Sequence, residues 1–309
     1  MTDTLVPRSP FAAPRVATLA VVAASVCFGL VPLFARALQE AGVADPAIGF
    51  YRFAFSVVVL APFLPRAPEK RRPAVVMTAT GVALSLGWLG YLDALRTLPV
   101  ASAGVIYMSY PLFALLVGWV LAGVRSGWRG WLAGAMILAG AAALAEGGGL
   151  GGAGWGALAK ALAAPATFGF AIVILTNFVH GLTVPERLFC AALGSVIGMT
   201  PLLAATPVAG FLPESGATWL LIAGMAAITA LLPQLVYTAA VPHVGPGRAA
   251  AAGSVELPTM IAVGAVAFGE SVGLREAVAA ALVLAAILVA PAVRPGRAGL
   301  VGRKRFFGL

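Results

Sequence analysis

Long apolar stretches with few charges recur along the whole chain and set its architecture. Each is close to the roughly 20 residues that an α-helix needs to cross a hydrocarbon core of about 30 Å. The apolar residues follow one another without the alternation of a membrane β-strand, so helices are predicted. The ten predicted spans cover residues 17–37, 47–64, 74–93, 102–122, 128–145, 153–175, 184–205, 217–240, 248–268 and 273–292.

The composition agrees with this pattern. Hydrophobic residues make up 61% of the chain and charged residues 10%, whereas soluble domains are about 45–50% apolar and roughly 25% charged. We therefore predict an all-α integral membrane protein. Cys27 and Cys190 both lie inside apolar runs and lack the spacing of a metal site, so no cofactor or metal is expected.

The positions of the basic residues predict how the chain lies in the membrane. The net charge is +9, but the basic residues sit in short loops and tails, which argues against a nucleic-acid partner. Most of them fall in loops on one side. The positive-inside rule then places both tails, 1–16 and 293–309, in the cytoplasm of a bacterial-type inner membrane. The second tail is predicted to bind anionic membrane lipid.

A glycine-rich linker at 147–152 separates two blocks of five predicted helices, residues 17–146 and 153–292. Short motifs recur at matched positions: "CFG" at 27–29 matches "TFG" at 167–169, and "YPLFALLVGWVLAG" at 110–123 matches "LPTMIAVGAVAFGE" at 257–270. Because each block has an odd number of spans, the second is expected to lie upside down relative to the first. Inverted repeats of this kind are typical of secondary transporters.

Ten helices in two repeats, "YRFAFSVVVLAPF" in the second predicted helix and "ELPTMIAVGAVAFGE" in the ninth resemble the drug/metabolite transporter superfamily, EamA type. The resemblance covers residues 17–292. It implies a carrier of small metabolites, often an amino-acid exporter, with a cavity between helices 1, 3, 4, 6, 8 and 9. Phe28 and Phe168 stand where this family commonly has tryptophan, and Gly123 where its first repeat usually has glutamate.

Glu256 is the sharpest candidate for a functional side chain. It lies about 12 Å along predicted helix nine, where an ionised acid costs several kcal/mol unless it pairs or faces water. We predict that it faces the bundle interior, as a counter-charge for a substrate amino group or as a proton carrier. The alternative is a protonated carboxyl that only joins neighbouring helices. Lys160 is predicted either to snorkel outward or to pair with Glu256 during transport.

Aromatic and polar residues at matched positions of the repeats are the other candidates for substrate binding. Trp88 and Tyr91 share one helical face, with an interfacial belt as the alternative role. The complete predicted set is Phe28, Trp88, Tyr91, Tyr107, Phe168, Gln234, Tyr237 and Glu256.

Three further residues have predicted mechanical roles. Pro111 and Pro258 each remove a helical hydrogen bond, which frees a backbone oxygen for a ligand or supplies a hinge beside the cavity. Simple helix curvature is the alternative. Arg52 is expected near the outer interface, where it either reaches lipid phosphates or gates the cavity. Glu270 is interpreted as a helix-end acid.

These observations predict secondary-active export of a small organic metabolite, foremost an amino acid with an aromatic or large apolar side chain. The expected partners are this substrate, membrane lipids and protons; ATP is not expected, because no nucleotide-binding loop is present. A passive channel would need a polar stripe along several helices. A lipid-modifying enzyme would need converging acids, histidines or a metal. With one deep acid and one lysine, the sequence favours a carrier over an enzyme.

Overall fold

The computed structural model describes residues 13–123, 127–145, 155–244 and 246–289. Most residues in these ranges are helical, and no strand occurs among them. The predicted linker at 147–152, the tail at 293–309 and residues 1–12 of the first tail lie outside the described residues.

The first block of the chain contributes seven α-helices within the described ranges. They are α1 (Pro14–Gly29), α2 (Val31–Glu40), α3 (Asp45–Leu60), α4 (Arg71–Ala94), α5 (Val100–Tyr107), α6 (Tyr110–Ala122) and α7 (Trp128–Ala145), with short 3₁₀ turns at Ala61–Phe63 and Pro68–Lys70.

The second block contributes eight α-helices and one π-helical turn within the described ranges. The helices are α8 (Trp155–Asn177), α9 (Val184–Ala204), α10 (Val208–Phe211), α11 (Gly216–Ala226), α12 (Leu232–Val244), α13 (Pro246–Gly253), α14 (Glu256–Phe268) and α15 (Leu274–Val289), and the π-helical turn is Ala227–Leu231.

Eight helical stretches in the described residues are long and apolar enough to cross a membrane. They are Pro14–Glu40, Asp45–Phe63, Pro68–Ala94, Val100–Ala122, Gly156–Asn177, Val184–Ala204, Gly216–Val244 and Arg248–Phe268. The shorter helices α7 and α15 pack against each other and account for the two remaining predicted spans. The prediction of an all-α membrane fold is confirmed.

Three of these stretches are broken between two helices, at Leu30, at Met108 and Ser109, and at Ser254 and Val255. Pro111 is the second residue of α6 and Pro258 the third residue of α14. Proline fits the first turn because the N–H groups there have no intrahelical partner. The two prolines therefore start new helices instead of kinking continuous ones, and their hinge role stays a prediction.

The two blocks correspond element by element near these breaks. Helices α5 and α13 have eight residues each, α6 and α14 have thirteen, and each member of the second block starts 146 residues after its counterpart. Gly123 and Gly269 end α6 and α14 in the left-handed conformation, with φ of 63° and 64°. Gly123 thus has the same backbone role as Gly269. The starts and ends of these helices match at an offset of 146 residues, one less than the offset of 147 in the predicted match of 110–123 with 257–270.

A close helix contact also occurs twice. A Cβ at Gly29 of α1 would lie 2.9 Å from the carbonyl oxygen of Glu256, and a Cβ at Gly169 of α8 would lie 2.8 Å from that of Tyr110. Glu256 and Tyr110 are the first residues of α14 and α6. The absence of a side chain at each glycine lets one helix cross the start of another.

At one end of the bundle, an ion pair joins the two blocks. Arg36 donates from Nη1 to Glu270 at 2.6 Å, from Nη2 to the Leu98 carbonyl at 2.7 Å and from Nε to the Leu95 carbonyl at 3.2 Å. The N–H of Val100 donates to both Glu270 oxygens, at 2.7 and 3.0 Å. We call this group of residues the Arg36 clasp. Glu270 is thus a helix-end acid that caps the start of α5. A negative charge is favoured at the start of a helix.

Two more exposed ion pairs lie at the same end. Arg96 pairs with Asp45 at 2.7 Å, and Lys160 pairs with Asp93 at 2.7 Å. In this structure Lys160 pairs with Asp93 and not with Glu256, and the predicted pairing with Glu256 during transport stays a prediction. Gly90 lets the backbone of α4 approach α8 at Lys160, and this contact places Lys160 beside Asp93. The Lys160 side chain is 58% exposed.

We expect Arg36→Ala to reduce the free energy of unfolding by about 2–3 kcal/mol, because it removes the cation that pairs with Glu270 and the donor to the carbonyls of Leu95 and Leu98. The matched control is Arg96→Ala, whose side chain is 43% exposed and which should cost about 0–1 kcal/mol. Reversible unfolding in mixed micelles measures both. Equal losses would show that the clasp contributes no more than a surface pair.

Gly29→Ala and Gly169→Ala should each destabilise the protein by about 1–3 kcal/mol, since the added methyl group meets backbone atoms of the crossing helix. Gly156→Ala is the control, because a Cβ there has no heavy atom within 4 Å, and it should leave stability unchanged or slightly raised. The melting temperature in detergent reports all three. A neutral result at both crossing positions would contradict the close contact.

Candidate functional site

Glu256 stands at the start of a half-helix inside the bundle. It is the first residue of α14, directly after the break at Ser254 and Val255, and it is half-buried. The positive end of the helix dipole favours a negative charge there. Across the part of the chain that the structure describes, its carboxylate makes no ion pair and no side-chain hydrogen bond. Its charge is within electrostatic range of Arg52, Tyr91, Tyr107, Tyr110 and Tyr237.

An aromatic wall, formed by Trp88, Tyr91, Tyr107, Tyr110 and Phe168, lies beside this acid. Tyr107 is its centre, with ring centroids 5.7 Å from Tyr91 and 6.0 Å from Phe168. Tyr110 meets Phe168 edge to face at 5.0 Å, and Trp88 meets Tyr91 in the same way at 5.5 Å. Edge-to-face contacts hold such rings in fixed positions. The wall is built by α4, α5, α6 and α8 together.

A second aromatic contact comes from α1 and α12, where Phe28 and Tyr237 meet edge to face at 6.0 Å. Tyr237 is within electrostatic range of Glu256, so this pair borders the same site. Gln234 makes a different contact, because its side-chain amide donates to Thr238 of its own helix at 3.4 Å.

Arg52 lies within the site. Its side chain is 5% exposed, Nη2 donates to the carbonyl of Thr229 at 2.8 Å, and the guanidinium carbon is 3.8 Å from the Trp88 ring centroid. This burial argues against the alternative in which Arg52 reaches lipid phosphates, and its predicted role as a gate stays a prediction. Thr229 belongs to the π-helical turn, a local distortion that is often found at functional sites. Its carbonyl accepts the hydrogen bond from Arg52 of α3.

Several polar atoms in the site are buried without a partner. Nε and Nη1 of Arg52 and the hydroxyl of Tyr91 have no hydrogen-bond acceptor or donor among the described residues. Tyr91 is only 2% exposed, which rules out the alternative of an interfacial belt for this ring. Buried polar groups in proteins are nearly always paired, so unpaired ones call for an explanation.

The structure gathers most of the predicted binding residues in one place. Trp88, Tyr91, Tyr107 and Phe168 contact one another in the aromatic wall, and Phe28 contacts Tyr237. Of the predicted residues, Tyr91, Tyr107 and Tyr237 are within electrostatic range of Glu256. Lys160 lies elsewhere, with Asp93. Sequence reasoning missed Tyr110, although its position 146 residues before Glu256 marks it as the counterpart of that acid. The binding roles of all these residues stay predictions.

The arrangement can hold a small ligand that has charge and an apolar surface. Glu256 offers a negative charge, Arg52 a positive charge, and the aromatic wall an apolar face. Within the described ranges, no three His, Cys, Asp or Glu side chains converge as a metal ion would require.

Comparisons with known proteins agree with this fold. The model of the EamA-like transporter family matches residues 15–145. No curated protein matches the sequence. A crystal structure described only as that of a protein superposes with a TM-score of 0.60 at 18% sequence identity, covering 88% of this chain and 95% of the other. At that identity, the likeness concerns the fold alone. Residues 15–145, most of the first block of the chain, are therefore similar to the EamA-like transporter family, and the helical membrane architecture agrees with this match.

Proposed function

We propose that the protein is a secondary-active transporter that exports a small organic metabolite, foremost an amino acid with an aromatic or large apolar side chain. The observation that carries the proposal is the free carboxylate of Glu256 at the start of α14, beside the aromatic wall. A carboxylate at membrane depth is costly unless it serves a ligand or a proton. The family whose model matches residues 15–145 consists of membrane transporters. This match supports the assignment of transport in general.

Glu256 is proposed to bind the ammonium group of the substrate. The aromatic rings offer both apolar surface for a side chain and faces that attract a cation. In the absence of substrate, a proton neutralises the carboxylate, so that substrate and proton bind alternately at one group. This exchange couples export to the proton gradient.

Alternating access is proposed from the correspondence between the blocks. The helices of equal length and the two glycine crossings, at Gly29 and Gly169, support an inverted repeat. In such a protein the two halves exchange conformations, and the site opens to one side and then to the other. The helix breaks next to Tyr110 and Glu256 provide points where each half can bend.

The proposed orientation has both termini in the cytoplasm of a bacterial-type inner membrane, following the distribution of basic residues. In that orientation the Arg36 clasp faces the outside. It joins α2 of the first block to the end of α14 in the second. Release of the substrate to the outside then requires Arg36 and Glu270 to separate in each transport cycle.

Glu256→Gln should lower the initial rate of phenylalanine uptake into proteoliposomes about tenfold or more, since an amide lacks the charge that binds the ammonium group. The control is Glu40→Gln, which changes an exposed acid at the end of α2 and should transport like wild type. Uptake of radiolabelled phenylalanine is measured against concentration, with and without a pH gradient.

We expect uptake by the wild-type protein to saturate with substrate concentration. Uptake should also increase when the pH gradient drives protons in the direction opposite to the substrate. Unsaturable uptake would indicate a channel. Equal rates for Glu256→Gln and wild type would contradict the role of the acid.

A further inference from the structure

The unpaired donors beside Glu256 point to a second charged pole of the site. Among the residues that the structure describes, Nε and Nη1 of Arg52 have no acceptor while its Nη2 is bonded, and the Tyr91 hydroxyl has no partner. Both side chains are more than nine-tenths buried. A buried donor without an acceptor costs about 1–3 kcal/mol, and a charged one costs more. A ligand that accepts hydrogen bonds from these donors removes this cost.

We propose that Arg52 and Tyr91 bind the carboxylate of the transported molecule, while Glu256 binds its ammonium group. The substrate class is then a zwitterion with an apolar side chain. This inference rests on the proposed function, because it assigns the ligand of the same site, and it identifies two specificity residues on α3 and α4.

Arg52 is fixed in a position suited to this task. The Thr229 carbonyl accepts from one edge of the guanidinium, and the Trp88 ring lies 3.8 Å from its carbon. A donor group held in place in the empty site loses little conformational entropy when an anion binds. The π-helical turn that contains Thr229 thus fixes the arginine, while Nη1 stays free.

Arg52 and Glu256 are the two opposite charges of the candidate site. Arg52 and Glu256 interact electrostatically, yet they form no direct ion pair among the described residues. Two opposite charges that are near each other but not in contact match the two ends of a small zwitterion. Such a ligand satisfies both charges at once.

Arg36 is the other cation in electrostatic range of Tyr91, but it has no free nitrogen. Each of its three nitrogens already donates within the Arg36 clasp. Arg52 is therefore the cation that keeps donors available next to the Tyr91 hydroxyl. Carboxylates accept charge-assisted hydrogen bonds from arginine, and a phenol hydroxyl adds a neutral one.

The test uses three ligands with the same phenyl group: phenylalanine, 3-phenylpropanoate, which lacks the amine, and phenethylamine, which lacks the carboxylate. Binding to the purified full chain in detergent is measured by calorimetry for wild type, Arg52→Gln, Tyr91→Phe and Glu256→Gln. Arg129→Gln, at an exposed position on α7, is the control for loss of a positive charge.

Arg52→Gln should weaken binding of phenylalanine and 3-phenylpropanoate about tenfold to a hundredfold and leave phenethylamine unchanged. Tyr91→Phe, which keeps the ring, should weaken the same two ligands about threefold to tenfold. Glu256→Gln should have the opposite selectivity, and Arg129→Gln should match wild type. Should Arg52→Gln fail to fold, Tyr91→Phe decides the question.

The proposal is overturned if neither carboxylate ligand binds the wild type, or if Arg52→Gln and Tyr91→Phe affect phenethylamine as much as they affect the carboxylates. The proposed function fails separately. If phenylalanine binds with the expected dependence on Arg52 but is not carried into proteoliposomes, the carboxylate site stands and the transport assignment falls.

Discussion

Every polar group at membrane depth must be satisfied by the protein or its ligands, because lipid offers no hydrogen bonds. The helix breaks create such groups, and the fold gathers them at the centre. Gly29 and Gly169 allow α1 and α8 to cross the starts of α14 and α6 closely. Glu256 lies at one of these crossings. A charged side chain is tolerated there because protein surrounds it and the positive end of a helix faces it.

The polar groups of the protein fall into two sets with different properties. In the Arg36 clasp, each nitrogen of Arg36 has an acceptor and both oxygens of Glu270 have donors. At the centre, Arg52 and Tyr91 keep unpaired donors, and Glu256 lacks a partner among the described residues. The first set stabilises one end of the bundle. The second set lacks partners within the described residues, which is the reason that we propose a ligand for it.

The sequence predicts the spans well because lipid demands long apolar runs, a constraint that acts on each segment by itself. It also singles out Glu256, since an acid between apolar residues is conspicuous. Repeat matching finds Tyr107 and Tyr237 for a similar reason. The helix breaks are harder to predict: Pro111 and Pro258 indicate a disturbance, but the pattern alone does not show that a new helix starts beside them.

The differences between the predictions and the structure concern side-chain contacts, which depend on how the helices pack. Lys160 pairs with Asp93 because Gly90 brings two helices together at that height, and helix length alone does not give this rotation. Arg52 turns inward because a π-helical turn presents the carbonyl of Thr229. A single inserted residue in a helical turn leaves no clear mark in an apolar sequence. Contacts between segments therefore had to come from the structure.

The central claim is that position 256 faces a water-accessible pocket that opens to one side of the membrane at a time. The most direct measurement is modification of Glu256→Cys, in a background with Cys27→Ala and Cys190→Ala, by a membrane-impermeant thiol reagent added to either side. The account predicts reaction from both sides in separate conformations, slowed by bound substrate. No reaction from either side, as expected for a side chain packed against lipid or sealed in the core, would contradict it.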